Sequence, residues 1–382
     1  MIRVLHSVSN MDRAGIETML MNYYRHMDRS KIQFDFLCNK QKIGAYDEEI
    51  QTLGGRIYRT PGLNPVKYPR YLRYMKKLFR ENPDYRIIEA HNGALGAYAL
   101  NAARHSGVPV RIFHAHGASI HKDWKLPLKL FCRALLPLST NQRFSCGAAA
   151  AKCYFGAKRE RSNDYVLIPN AIEISRFVFD AEVREKIRRD NGLEGKHVVG
   201  HVGRFSQQKN QSFLLETFAH LIKQDPAVSL VLIGDGEDMA SAQAAAKRLG
   251  IADSVCFLGN IPNVNEWYQA FDVFVLPSIW EGLPVVGVEA QTADLPCIFS
   301  SSITREIHIL EKTRFVELKA GHPKWVEAIL QALKDTHRTN VGKIIADHGY
   351  DISAEAVKLQ ERYLKLAGEA YENRNTDPSI CQ

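Results

Sequence analysis

Phe271-Asp272-Val273-Phe274-Val275-Leu276-Pro277-Ser278-Ile279-Trp280-Glu281-Gly282-Leu283-Pro284-Val285-Val286-Gly287-Val288-Glu289-Ala290 is the stretch that decides the fold. Its first six residues, apolar and rich in β-branched side chains, predict a buried strand. Gly282 and Pro284 interrupt it, and Pro284 is placed to open a helix. Glu281 then lies in a strand-to-helix loop, and Glu289 about a turn and a half into the helix. In an open parallel sheet, ligands bind beyond the carboxyl ends of the strands. A carboxylate can accept from two sugar hydroxyls at once, so two of them suit a sugar and a ribose. The free amides of a helix start favour a phosphate. Together these features point to a nucleotide-sugar. Two acids near a helix start can also serve only as dipole and capping residues, so the rest of the chain must decide.

Working outward, the same strand-loop-helix pattern recurs, which signals an α/β fold with parallel sheets. In the first half, strands are expected at 3–9, 34–38, 85–90, 109–114 and 142–146, with a further run at 165–169. Helices fill most of the gaps, among them Ile16–Met27 and Tyr68–Phe79. Pro169-Asn170-Ala171-Ile172-Glu173-Ile174 reads as a hinge. A second series begins at Val198-Val199-Gly200-His201-Val202-Gly203 and continues at 230–233, 254–258, 273–276 and 296–299. The expectation is a domain over 1–172, a second over 173–350, and a C-terminal helix in 351–382 that packs back toward the first domain. The polar tail after about Asn373 is expected to fray. G-x-G-x-x-G is absent, so neither half carries the dinucleotide fingerprint.

The 382 residues exceed one typical core, which agrees with two domains. No stretch approaches the length of uncharged apolar sequence that a membrane-spanning helix needs. The N-terminus, Met1-Ile2-Arg3-Val4, reads as a strand and not as a signal peptide. The seven cysteines are scattered without C-x-x-C spacing, which indicates neither a disulfide frame nor a zinc site. A cytoplasmic protein is expected. The net charge of +8 is uneven. Residues 1–180 carry 28 basic against 15 acidic side chains, and residues 181–382 carry 22 against 27. That asymmetry points to a polyanionic partner for the first half.

Gly203-Arg204-Phe205-Ser206-Gln207-Gln208-Lys209-Asn210 follows the first strand of the second series and precedes a helix. Arg204 offers a planar fork and Lys209 a point charge, a pair suited to a diphosphate without a metal. As a pair alone they could equally be solvated loop cations.

With these residues the chain resembles a family 4 retaining glycosyltransferase of the GT-B fold, of the capsular and exopolysaccharide type. The resemblance rests on Glu281 and Glu289 as an E-x7-E pair, Gly203-Arg204 with Lys209, Ile233-Gly234-Asp235-Gly236, Phe257-Leu258-Gly259 and Ala270 to Ser278. In the first half it covers Ala14-Gly15-Ile16-Glu17, His114-Ala115-His116-Gly117 and the hinge. It implies two Rossmann-like doubly wound domains facing each other across a cleft. It implies that Arg204 and Lys209 bind the donor diphosphate, that Glu289 holds the ribose, and that Glu281 meets the transferred sugar. It also implies that Gly282, Leu283, Pro284 and Val285 approach diphosphate and sugar through their backbone, and that Leu258 and Gly259 line the base pocket. Gly15 would let the main chain approach the phosphates closely; Ala14 stands where many relatives have a second glycine.

Of the histidines, His116 is the candidate for meeting the transferred sugar in the catalytic centre, and His114, on the same strand face, competes for that role. His91 also ends a strand and is a candidate for acceptor binding. The resemblance implies retention of anomeric configuration, with the leaving diphosphate helping to deprotonate the acceptor. No D-x-D motif is present, so neither a metal nor any other cofactor is implied, and the donor expected is a UDP-sugar.

Val66–Arg80 and Trp124–Arg133 mix cations with aromatic and apolar residues, as helices on an anionic membrane surface do. Ordinary surface helices with snorkelling cations have the same composition. The reading is a cytoplasmic, peripherally membrane-associated enzyme acting on a lipid-linked or growing glycan, without a nucleic-acid partner. The alternatives are a nucleotide-sugar epimerase or hydrolase of the same fold, or a catalytically silent nucleotide-binding subunit.

Overall fold

The computed structural model describes all residues except Asn64, Ala118, His121–Asp123, Asn163, Thr336 and Thr376–Gln382. The chain divides into two units, Met1–Ala171 with Ile352 onward, and Ile172–Asp351. The last helix, Ile352–Asn375, belongs to the first unit. The tail expected to fray after Asn373 is thus helical to Asn375 and otherwise lies outside the described residues.

The first unit is built on seven parallel strands: β1 Ile2–Val8, β2 Ile32–Cys38, β3 Ile57–Arg59, β4 Ile87–Ala90, β5 Val110–Ala115, β6 Gln142–Ser145 and β7 Val166–Leu167. Their order is β3-β2-β1-β4-β5-β6-β7. The direction of winding reverses between β1 and β4, where Val4 pairs with Ile87 and Ser7 with Ala90. β2 is buried along its whole length, as expected for a strand covered on both faces. One core layer packs Met19, Tyr23 and Tyr24 of the helix Gly15–His26 with Phe34, Phe36 and, from the last helix, Ile352, Leu359 and Tyr363.

The second unit repeats the scheme with β8 His197–Val202, β9 Val228–Ile233, β10 Val255–Gly259, β11 Val273–Leu276, β12 Cys297–Ser300 and β13 Thr313–Val316, ordered β10-β9-β8-β11-β12-β13. Here the winding reverses between β8 and β11, where Val199 pairs with Val273 and Gly200 with Phe274. The Phe271 ring lies so near Gly200 that a Cβ there would come within 2.1 Å of it. Asp272 ties the helix Ala181–Asp190 to the sheet by accepting from Arg184, from Arg188 at 3.0 Å and from the Val198 N–H at 2.7 Å.

The long apolar strands fall where the sequence places them, within one or two residues. Two strands were not expected, β3 and β13. Both are short sheet edges carrying arginine, so their apolar alternation is weak. Pro284 is the residue before the helix, whose first residue is Val285, and not its first position as the sequence reading had it. Among the described residues, no helix is long and apolar enough to cross a membrane.

Candidate functional site

The reversal of winding fixes where each unit can present chemistry, because the loops after the two central strands diverge there and leave a crevice at their carboxyl ends.

In the second unit those loops follow β8 and β11. Gly203 donates its N–H to Ile233 O at 2.9 Å, and Gly234 donates to Gly259 O at 2.9 Å. The strand ends of β8, β9 and β10 are thus tied together. Gly234 has φ +132°, and a Cβ there would lie 2.2 Å from the Gly203 carbonyl oxygen, so only glycine fits this crossing of backbones. Gly259, at φ +65°, has open space where a Cβ would stand, beside Leu258.

Lys209 Nζ lies 2.6 Å from Glu281 Oε1, and both side chains are largely buried. Gln208 donates from Nε2 to Glu281 Oε2 at 3.1 Å and to Trp280 O at 3.0 Å, while Ile279 N–H donates to Gln208 O at 2.8 Å. The two loops are therefore bound to each other at the carboxylate. Asn210, in the left-handed region at φ +59°, donates to Pro277 O at 3.2 Å and starts the helix Gln211–Leu221. Behind them, His201 donates from Nδ1 to Val275 O at 2.9 Å, which leaves Nε2 to accept from Gln211 at 3.2 Å.

Glu289 accepts from the Tyr268 hydroxyl at 2.8 Å. Desolvation pushes its carboxyl up to about 7, against the Tyr268 hydrogen bond and the positive charges of Arg176 and Lys209. Gly282, Leu283, Pro284 and Val285 lead into the helix Val285–Thr292, and no side chain caps its start. Arg204 does not join this cluster: its guanidinium is mostly exposed and pairs with Glu237 at 2.9 Å.

In the first unit the strand ends of β1, β4 and β5 gather histidines. His91, just past β4, donates its backbone N–H to Ser7 O at 3.0 Å. Its ring nitrogens lie 3.1 Å from His6 Nδ1 and 2.9 Å from His116 Nε2. His114 donates from Nδ1 to Glu89 Oε1 at 2.7 Å, and its ring stacks on that of His116 at 4.1 Å. Glu89 also accepts from the hydroxyl of Tyr363 on the last helix. Burial holds His114 down to about 3 and His6 down to about 4, and keeps His91 and His116 well below the usual imidazole range, so all four rings are neutral near pH 7. Gly15 heads the helix Gly15–His26, with open space where a Cβ would stand.

The structure thus brings Lys209 and Glu281 into contact, places Glu289 under the influence of Lys209, and groups His91, His114 and His116. Sequence reasoning missed Gln208, Tyr268 and Arg176 in the second unit. In the first it missed His6, Glu89 and Tyr363. A signal existed for His6 and Glu89, since each is a polar residue inside an apolar strand run. None existed for Tyr363, which arrives from a distant helix.

Known proteins match this chain along nearly its whole length. The family description "Glycosyl transferase 4-like domain" matches residues 14–170, and "Glycosyl transferases group 1" matches residues 183–347. EpsF of Bacillus subtilis (strain 168), named as a glycosyltransferase, is 35% identical over 379 residues, covering 97% of this chain and 98% of its own. A UDP-Gal:alpha-D-GlcNAc-diphosphoundecaprenol alpha-1,3-galactosyltransferase of Escherichia coli is 29% identical over 318 residues, 75% of this chain and 76% of its own. Among solved structures, Anabaena HepE in complex with UDP and glucose superposes with a TM-score of 0.79 at 17% identity, over 95% of this chain and 99% of its own.

Proposed function

The chain belongs to the group 1, family 4-like glycosyltransferases of polysaccharide biosynthesis, and from that premise we propose that it transfers a sugar from a UDP-sugar to a lipid-linked or growing glycan with retention of configuration. The observation that carries this reading is the contact of Lys209 with Glu281 in the crevice between the β8 and β11 loops.

In this reading Lys209 faces the donor diphosphate together with the uncapped start of the helix Val285–Thr292, and Arg204 joins them on leaving Glu237. Their charge stabilises the departing diphosphate, and no metal is required in that role. Glu289 holds the ribose hydroxyls, and Glu281, oriented by Gln208, meets the transferred sugar. Gly15 accommodates the phosphates, and His116 meets the sugar on the side of the first unit. The leaving diphosphate oxygen takes the acceptor proton, so no separate base is needed. A galactosyltransferase named for a UDP-Gal donor and a diphosphoundecaprenol acceptor, and a neighbour solved with UDP and glucose, support this choice of donor and acceptor. The relatives named above are transferases, which leaves the epimerase, hydrolase and silent-subunit readings without support.

A lipid-linked acceptor fits the surface of the first unit. The helix Tyr68–Glu81 exposes Arg70, Arg73, Lys76, Lys77 and Arg80. The helix Leu126–Ser139 exposes Pro127, Leu130, Phe131, Ala134 and Leu138, an apolar stripe at helical spacing. Both pack against the helix Ala97–His105. A cationic face beside an apolar stripe suits an anionic membrane surface.

The deciding experiment is calorimetric titration of UDP and of GDP into the purified chain with EDTA present, followed by product analysis with UDP-sugars and a polyprenyl-diphosphate acceptor. Micromolar UDP binding and a retained anomer are expected. GDP preferred over UDP, or an inverted product, overturns the corresponding part of the proposal.

A further inference from the structure

Three strand ends of the first unit converge on a group of imidazole nitrogens that includes His116, the ring set against the sugar in the proposed function. The available ligand atoms of His91, His114 and His116 all lie within 4.8 Å of one another. In His91 and His114 the other ring nitrogen is already committed. His114 gives its Nδ1–H to Glu89, which leaves Nε2 as a lone pair, and that atom is buried with no hydrogen-bond partner. His91 can give its Nε2–H to His6 Nδ1, which leaves Nδ1 as a lone pair that accepts from His116 Nε2–H at 2.9 Å; an ion entering here replaces that contact, with the His116 proton moved to Nδ1. Imidazoles that bind metal characteristically donate their other N–H to a carboxylate, a carbonyl or a second polar group, which fixes the tautomer and turns the free nitrogen toward the ion. Glu89 is itself held, since its second oxygen accepts from Tyr363. His114 and His116 are two residues apart at the end of one strand, so they project to the same face.

We infer that His91 Nδ1, His114 Nε2 and His116 Nε2 form a binding site for a divalent transition ion of the zinc class, with Glu89 orienting His114 and His6 orienting His91. Zinc–nitrogen bonds of about 2.0–2.1 Å in tetrahedral geometry set ligand nitrogens roughly 3.4 Å apart; here the His91 and His116 nitrogens are 2.9 Å apart and all three lie within 4.8 Å. Three imidazoles favour zinc, nickel or copper over magnesium or calcium, which take oxygen cages. Three protein ligands leave a fourth position for water or a hydroxyl. The site lies within the first unit and uses none of Lys209, Glu281 and Glu289; an ion on His116 would replace the sugar contact that the proposed function gives that ring, and leaves the rest of that reading untouched.

The test uses the full chain without a histidine tag, stripped with EDTA and titrated with Co²⁺ and then Zn²⁺. One equivalent of Co²⁺ giving visible ligand-field bands, displaced by Zn²⁺, is expected. Glu89→Gln should weaken zinc binding roughly 10–100-fold, and His114→Ala should abolish the bands. Because a buried variant can fail to fold, zinc-edge X-ray absorption on the unaltered chain supplies an independent readout, with about three imidazole nitrogens in the first shell expected. No Co²⁺ uptake, bands that persist in a folded His114→Ala chain, or a zinc shell of oxygens overturns the inference and leaves the histidines as a hydrogen-bonded ladder. UDP titrated into the same stripped chain reads the donor site separately, so failure of either assignment is distinguishable from failure of the other.

Discussion

Lys209 and Glu281 are bound to each other, Nζ to Oε1 at 2.6 Å, in the loops that follow the two central strands of the second unit. The cation proposed to bind a phosphate is therefore held in place by the carboxylate proposed to meet a sugar. Replacing Lys209 with alanine removes the proposed charged contact to the donor and leaves the Glu281 charge without its cation. UDP affinity should fall about tenfold or more, since losing a hydrogen bond to a charged group costs roughly 1.5–3 kcal/mol. Glu281→Gln should leave UDP affinity unchanged or slightly raised while turnover of the UDP-sugar drops on the order of 100-fold. Calorimetry on both variants, paired with turnover assays, separates the two roles; equal losses of UDP affinity in both would argue against them.

Desolvation raises Glu289 from 4.5 to about 7 in the folded chain. A group whose pKa is raised on folding makes its full stabilising contribution below the unfolded value, and that contribution is lost as pH rises through the folded value. Stability should therefore decline between about pH 4.5 and 7 from this residue. Ribose binding by the carboxylate should move the opposite way, with UDP-sugar affinity rising as pH increases through about 7. The intact UDP-sugar is the probe, because its diphosphate has no proton to lose in this range. Glu289→Gln should flatten both profiles, and an affinity profile that remains steep in the variant would remove Glu289 from the site.

How far the sequence was legible follows from what a one-dimensional pattern encodes. Apolar runs such as Val273–Leu276 and Val228–Ile233 announce buried strands because both faces of a parallel strand are covered. The breaks at Gly282 and Pro284 announce the loop that carries Glu281. The edge strands Ile57–Arg59 and Thr313–Val316 lack that signal, since they are short and partly exposed. What the pattern does not hold is which strand ends meet. His6, Glu89, His91 and His116 come from three strands, and Tyr363 from a helix more than two hundred residues later. The pairing of Arg204 with Glu237, away from Lys209, was likewise invisible.

Gly15 separates a structural role from a functional one. Its φ is not in the left-handed region, and a Cβ would meet nothing within 4 Å. Gly15→Ala should therefore fold normally, with stability unchanged or raised by about 0.4–1 kcal/mol through the unfolded chain. If the phosphates approach the main chain at this helix start, the methyl group obstructs them. The expected result is an unchanged Tm with weaker UDP-sugar binding and lower kcat/KM. Normal kinetics in the variant would take Gly15 out of the donor site.

The helix Leu126–Ser139 turns Leu130, Phe131 and Leu138 outward, at 49%, 62% and 63% exposure, where ordinary solvent-facing positions are polar. The helix Tyr68–Glu81 supplies Lys76 and Lys77 on its outer face. Near an anionic bilayer each such cation contributes on the order of 1 kcal/mol, screened within a Debye length. Reversing Lys76, Lys77 and Lys129 to glutamate should abolish co-sedimentation with vesicles rich in anionic lipid, and raised salt should weaken binding of the unaltered chain. Phe131→Ser with Leu138→Ser should reduce binding to the same vesicles with little dependence on salt, because the lost contribution is burial in the acyl boundary and not charge. All of these changes lie away from Lys209, Glu281 and Glu289 in the sequence and outside their unit, so UDP affinity in solution should be unaltered. Vesicle binding that survives both sets of substitutions would remove the membrane surface as the partner of this face.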